Sequence, residues 1–90
     1  MDVSDYEEIA GRLRGLLIRL GDRLRGEDQT WILDFIDANE LGLALEQMAD
    51  ALGDELTPVS VEEREDMLSL ADSMAVGDRV GRALALCPRP

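Results

Sequence analysis

Histidine and lysine are absent from the sequence, and cysteine, tryptophan, tyrosine and phenylalanine each occur once. Without histidine, the chain lacks both the usual general base near neutral pH and the commonest metal ligand. Cys87 therefore has no histidine to activate it as a nucleophile, and the scattered glycines form no phosphate-binding loop. These absences predict a protein that is not an enzyme and that needs neither a metal nor another cofactor.

Long apolar runs are missing as well. No run approaches the ~20 residues that a membrane span requires, and the start of the chain lacks the basic and apolar regions of a signal peptide. Cys87, as the single cysteine, cannot form an internal disulfide, and its position near the end of the chain favours a place outside the core. We therefore expect a cytoplasmic protein. The exclusive use of arginine as the basic residue is typical of GC-rich bacterial genomes.

Acidic residues are what the sequence has in excess. Twenty Asp and Glu residues against nine Arg give a net charge of -11. DNA, RNA and anionic membranes repel such a surface, so the charge favours a basic protein partner and disfavours nucleic acid and membranes. Residues 27–78 hold fifteen acids and one arginine, whereas residues 11–26 hold five arginines and one acid. The alternative interpretation is that the acids only keep a small protein soluble.

Periodicity predicts an all-α fold, a compact bundle of four helices and a short C-terminal helix, as one domain over residues 1–90. Apolar residues recur at helical spacing, whereas strands would need more β-branched and aromatic residues. The predicted helices cover residues 5–25, 29–38, 40–55, the segment from Ser60 to Gly77, and a short stretch around Val80–Leu84. Residues 1–3 and 87–90 are expected to fray.

Local signals set the boundaries of these helices. Ser4–Glu7 and Ser60–Glu63 each fit a capping box, and Asn39 is expected to end the second helix and to cap the third. The second helix is the most apolar, which predicts a central position with Trp31 buried. The third helix presents one apolar stripe to the core, formed by Leu41, Ala44, Leu45, Met48 and Leu52.

The opposite side of the third helix is a candidate partner-binding face, which consists of Leu43, Glu46, Gln47, Asp50 and Asp54. Three of these are acids at four-residue spacing, so their like charges disfavour the helix by about 0.2–0.5 kcal/mol per pair. An apolar residue among acids is typical of a surface that anchors a basic partner. The alternative is that Leu43 packs against the first or last helix, while the acids pair with Arg12, Arg19 and Arg23.

A second motif indicates an alternative function. Asp72-Ser73-Met74 resembles the Asp-Ser-Leu attachment site of acyl carrier proteins, which are also small, acidic and helical. In that family the serine opens the second helix, whereas Ser73 falls near the end of the predicted fourth helix. The motif leaves open a carrier or adaptor module of a larger assembly, and a dimeric helical regulator is a further alternative.

The second and third predicted helices resemble a known family. Residues 31–46, WILDFIDANELGLALE, resemble the MafI-like immunity proteins of bacterial polymorphic toxin systems. The shared pattern is an apolar helix, a small polar break, a glutamate and then Ala-Leu-Glu. In this chain these positions are Asn39, Glu40 and Ala44-Leu45-Glu46. The leucine-rich first helix and the segment from Leu70 to Met74 agree with the family in outline.

The resemblance implies a cytoplasmic antitoxin that binds a cognate toxin, often a nuclease, and blocks it. Such toxins are commonly basic, because enzymes that cut nucleic acid must attract phosphate. The resemblance transfers the pattern positions Glu40, Ala44, Leu45 and Glu46 but no residue that contacts the toxin. We therefore expect an immunity protein that covers the active or substrate-binding surface of a basic toxin.

Overall fold

In the computed structural model, which describes residues 3–90, the chain forms five α-helices and a 3-10 helix, and none of these residues lies in a β-strand. The elements are α1 (Val3–Leu20), the 3-10 helix (Gly21–Arg23), α2 (Gly26–Asp37), α3 (Leu41–Asp54), α4 (Val61–Met74) and α5 (Arg79–Leu84). The predicted all-α fold is confirmed. Among the helices described, none is long and apolar enough to cross a membrane.

The central helix is α3. It packs against all four other α-helices, and every residue of its predicted apolar stripe is buried. Small residues extend the buried part of its surface, since Ala49, Ala51 and Gly53 are buried too and let neighbouring helices approach closely. At Gly53 an added Cβ would lie 2.7 Å from the backbone oxygen of Ala83, so α3 and α5 touch backbone to backbone.

The second helix lies at the periphery, and the prediction that it is central is wrong. Ile32 and Ile36 are its buried residues, and α2 packs mainly against α3. Trp31, which we predicted to be buried, is 56% exposed. The reason is charge, because four acids surround the rest of α2 and their carboxylates must stay in water. Only a narrow apolar strip is left to face the core.

The ends of α1 differ from the prediction. α1 ends at Leu20 because Gly21 adopts a φ of +51°, a left-handed conformation that glycine accepts at no steric cost. Leu24 is buried from an extended segment instead of from the helix. α1 has already begun at Val3, so Ser4 lies inside the helix and is not its N-cap. We expected residues 1–3 to fray, but Val3 is already helical, and residues 1–2 lie outside the described residues.

The predicted capping box at the start of α4 is confirmed. Ser60 Oγ accepts a hydrogen bond from the Glu63 N–H at 3.0 Å, and the Glu63 carboxylate accepts one from the Ser60 N–H at 3.0 Å. Glu63 is buried, and its Oε2 lies 2.6 Å from Nη2 of Arg23. The hydrogen bond from Arg23 is the main cause that lowers the pKa of Glu63 to about 2. This ion pair fastens α4 to the segment that follows α1.

The C-terminal segment is anchored to the bundle. Cys87 is buried, contrary to the expected place outside the core, and this burial raises the pKa of its thiol. Arg64 of α4 donates a hydrogen bond to the Cys87 carbonyl at 3.0 Å, and the Val59 N–H donates one to the Pro88 carbonyl at 3.0 Å. The segment at Cys87 and Pro88 therefore differs from the frayed end that we predicted for residues 87–90.

Candidate partner-binding site

The candidate face of α3 is called the outer face below. The residues that periodicity assigned to it lie together on one side of the helix. Leu43 is 45% exposed. Asp54 is exposed as well, whereas Glu46, Gln47 and Asp50 are half-buried. Leu43 thus keeps almost half of its surface in solvent, which differs from the alternative in which a neighbouring helix covers it.

One acid of the outer face is neutralised from α5. Nη2 of Arg79 lies 2.5 Å from Oδ2 of Asp50. The hydrogen bond to Asp50 and the charges of Asp50 and Glu46 raise the pKa of Arg79. The alternative paired the acids of this face with Arg12, Arg19 and Arg23, and it is wrong for Arg19 and Arg23, because both pair with acids of α4. Arg79 therefore offsets part of the repulsion between the like charges of the outer face. The sequence pattern did not indicate this arginine.

Arg79 interacts with a second acid of the outer face only at longer range, since the charge of Glu46 contributes to raising the pKa of Arg79. Within the part of the chain that the structure describes, neither Glu46 nor Asp54 forms a salt bridge. Two shallow clefts border these acids. One, of about 300 Å³, is lined by Leu43, Glu46 and Val76 among others. The second, of about 260 Å³, is lined by Asp50 and Asp54 and also by Arg79 and Arg82. The cleft beside Leu43 and Glu46 thus combines an acid of the outer face with a concave edge, whereas the cleft beside Asp54 contains charges of both signs.

Gln47 connects the outer face to α2. Its side-chain Nε2 donates a hydrogen bond to Asp28 Oδ1 at 3.1 Å. Trp31 follows Asp28 by three residues and therefore lies one turn further on the same side of α2. Leu43 precedes Gln47 by four residues and lies on the same side of α3 for the same reason. Trp31 and Leu43 thus each lie one helical turn from the contact between Asp28 and Gln47.

Trp31 is the residue of α2 whose burial was predicted wrongly from the sequence. Its ring stacks on that of Phe35, with centroids 6.0 Å apart and planes at 29°, and Phe35 packs against the core. The high apolar content of α2 indicated burial. The signal that could have indicated exposure is angular, because Trp31 lies about 100° around the helix from Ile32, off the line that joins Ile32 to Ile36.

The residues that carry the family resemblance hold mainly structural positions. Ala44 and Leu45 are fully buried, and Glu40 is the N-cap residue of α3. Asn39 adopts a φ of +59° and lies in the turn that separates α2 from α3, as predicted, but the N-cap position of α3 is Glu40 and not Asn39. The pattern therefore describes the turn between α2 and α3, and Glu46 is its member on the outer face.

Ser73, the residue of the alternative carrier motif, is exposed near the end of α4. It borders a cleft of about 170 Å³ together with Asp5, Glu8 and Arg12 of α1. An attachment serine that opens a helix would occupy a different position, because Ser73 is the penultimate residue of α4. Among residues 3–90, no three potential metal ligands lie close enough to one another to hold an ion.

No protein-family model, curated protein or solved structure matches this chain. The resemblance to the MafI-like immunity proteins stays a prediction from the sequence pattern.

Proposed function

We propose that this chain is an immunity protein that binds a cognate bacterial toxin, a basic nuclease-type domain, and covers the toxin's active or substrate-binding surface. The observation that supports the proposal most is where the family-like segment lies. Residues 31–46 form most of α2, the turn after it and the start of α3. This helix pair carries the acidic outer face and its exposed Leu43.

Charge supports a basic partner. α2 contains four acids, α3 contains three, and neither helix contains a basic residue. A nuclease binds the phosphates of its substrate through Lys and Arg, so its substrate-binding surface has the opposite charge. Complementary charge speeds association and disfavours wrong partners. An acidic protein seated on that surface excludes nucleic acid without performing any reaction.

Apolar contact supports a partner that stays bound. Charge pairs at the rim of an interface mainly raise the association rate, whereas buried apolar anchors slow dissociation. Leu43 is such an anchor, because it is exposed beside a cleft and has acids within one helical turn. A small protein of this kind needs only one such face to inhibit an enzyme whose active site is open to a long substrate.

The proposal is tested by co-expression in bacterial cells. The gene immediately upstream of the one for this chain is sequenced first, and if it encodes a large secreted protein with a variable C-terminal domain, this domain is the toxin to be tried. We expect that inducing this domain alone arrests growth and that the wild-type chain restores it. Growth that remains arrested although both proteins are present at equal levels contradicts the proposed function.

Two charge-reversal variants test whether protection depends on the outer face. Asp54→Arg lies on the outer face, and Glu65→Arg lies on the exposed side of α4 and changes the net charge by the same amount. We expect Asp54→Arg to weaken protection and Glu65→Arg to leave it intact. Equal loss in both variants would show that net charge matters and that the outer face has no special role.

A further inference from the structure

An aromatic pair on α2, formed by Trp31 and Phe35, is a surface feature outside the outer face of α3. Trp31 is 56% exposed although it is among the largest apolar side chains of the protein. Phe35 is partly buried against the core and stacks on the indole ring, so it holds this ring at the surface. Tryptophan in such a fixed, solvent-facing position is the side chain most often found at the energetic centre of protein interfaces.

Two carboxylates of α2 flank Trp31 along the helix. Asp28 precedes Trp31 by three residues and Asp34 follows it by three, so both lie one turn from the indole along α2. In the described part of the chain neither carboxylate forms a salt bridge; Asp28 accepts a hydrogen bond from Gln47. Trp31, Phe35, Asp28 and Asp34 are called the Trp31 patch below. An aromatic face between carboxylates offers a cation both a π surface and an ion-pair partner.

We propose that the Trp31 patch is the docking centre for a basic protein partner, and that an arginine of this partner stacks on the indole of Trp31 while pairing with Asp28 or Asp34. The proposal rests on the proposed function, since it assigns to the toxin the arginine that this patch receives. Arginine fits better than lysine, because its planar guanidinium stacks on an aromatic ring and pairs with a carboxylate at the same time.

The charge of the patch argues against the other occupants. Nucleic acid and anionic membranes would meet the carboxylates on either side of the ring. A second copy of this chain would bring Asp28 and Asp34 against the same two residues, in a protein whose net charge is already -11. A basic protein is the occupant for which each group of the patch has a favourable contact.

A probe that does not depend on the toxin tests the arginine preference. Nona-arginine and nona-lysine are titrated by calorimetry into the wild-type chain and into Trp31→Ala, Trp31→Tyr and Ile18→Ala. Ile18 is the matched control, because it is an apolar residue of α1 that is 80% exposed. Far-ultraviolet circular dichroism checks that each variant folds, which we expect because Ile32 and Ile36 hold α2 in place.

We expect the wild-type chain to bind nona-arginine about two- to fivefold more tightly than nona-lysine, the range of an exposed cation–π contact. Trp31→Ala should abolish this preference, and Trp31→Tyr and Ile18→Ala should keep it. Equal affinity of the two peptides for the wild-type chain overturns the proposal. A wild-type dimer that dissociates in Trp31→Ala on sizing also overturns it, because the occupant would then be a second copy.

The toxin assay separates this proposal from the proposed function. If the wild-type chain protects cells, Trp31→Ala should weaken affinity for the toxin domain about thirtyfold, as expected for a central interface residue, while Ile18→Ala should not. Full affinity in Trp31→Ala overturns the docking proposal and leaves the immunity function standing. If the wild-type chain does not protect, the immunity function fails, and the peptide titration alone decides whether the Trp31 patch binds arginine.

Discussion

Replacing Glu63 by glutamine removes the charge of the most buried ion pair of the bundle. Glu63 is 4% exposed, accepts hydrogen bonds from Arg23 at 2.6 and 2.9 Å, and closes the capping box with Ser60. Glutamine at this position can still accept from Ser60 through its single oxygen, but its NH2 group cannot accept from Arg23, so the substitution removes the charge together with one of the two hydrogen bonds from Arg23. The pKa of Glu63 falls from 4.5 to about 2, chiefly because Arg23 donates to its carboxylate. This shift corresponds to about 3 kcal/mol at neutral pH.

The expected loss is smaller, because the Arg23 side chain is 34% exposed and solvent weakens the pair. We expect Glu63→Gln to lower the free energy of unfolding by about 1–3 kcal/mol near neutral pH. Since the pKa is lowered in the folded state, the contribution is present above about pH 4.5 and disappears as the pH falls towards about 2. The difference between the two proteins should therefore vanish near the lower value.

Urea denaturation followed by circular dichroism measures this difference across the pH range. Asp66→Asn is the matched control, because Asp66 pairs with Arg19 at 3.2 Å and both side chains are about half exposed. Its loss should stay below about 1 kcal/mol at every pH. A Glu63→Gln loss that is the same near neutral pH and near pH 2, or that is no larger than the control, would refute the assignment of an ionised, stabilising pair.

Three further outcomes follow from the packing and the surface. Gly53→Ala should destabilise by about 1–3 kcal/mol, because the new Cβ would lie 2.7 Å from a backbone oxygen of α5. Gly15→Ala meets no atom within 4 Å and should stabilise by about 0.5–1 kcal/mol; equal thermal shifts in these two variants would contradict the close approach. Asp54→Arg should change stability by less than about 0.5 kcal/mol, whereas Asp50→Arg should destabilise, because it sets a cation beside the arginine of α5; equal urea midpoints would argue against that pairing. Trp31 should emit like a largely solvated indole and be quenched readily by acrylamide, and a blue-shifted, quencher-resistant emission would show that it is buried.

Helical periodicity predicted that all five residues of the apolar stripe of α3 are buried, but it missed Ala49, Ala51 and Gly53, because residues this small give little hydrophobic signal. Helical periodicity failed to predict the end of α1. Leu24 continues the apolar spacing past Gly21, and it is indeed buried, but from an extended segment. The apolar spacing therefore identified a residue that is buried, but it did not predict the backbone conformation at this residue.

The position of α2 could not be read from its apolar content. Trp31 and Leu33 add to that content yet are exposed, since the acids of α2 fix which side of the helix faces water. Which helix becomes central depends on how closely neighbours can approach. The small residues of α3 allow that approach, as the contact between Gly53 and Ala83 shows. Much of the surface of α2 instead consists of an indole and of carboxylates.

The residues of the outer face were predictable, but their electrostatic environment was not. Periodicity alone placed Leu43, Asp50 and Asp54 on one side of α3. The ion pair between Asp50 and Arg79 depends on α5 packing along that side, which is a property of the tertiary structure. Periodicity also gave no indication that Gln47 of the outer face donates a hydrogen bond to Asp28 of α2.

Inhibition of the purified toxin domain is the most direct test of the proposed function. The nuclease activity of the domain encoded upstream is measured on a fluorescent oligonucleotide while this chain is added in increasing amounts. We predict a linear loss of activity that is complete at one chain per toxin, and a Leu43→Ala variant that requires a higher concentration for the same effect. Activity that persists with an excess of the wild-type chain would contradict the claim that this acidic helical surface covers a toxin.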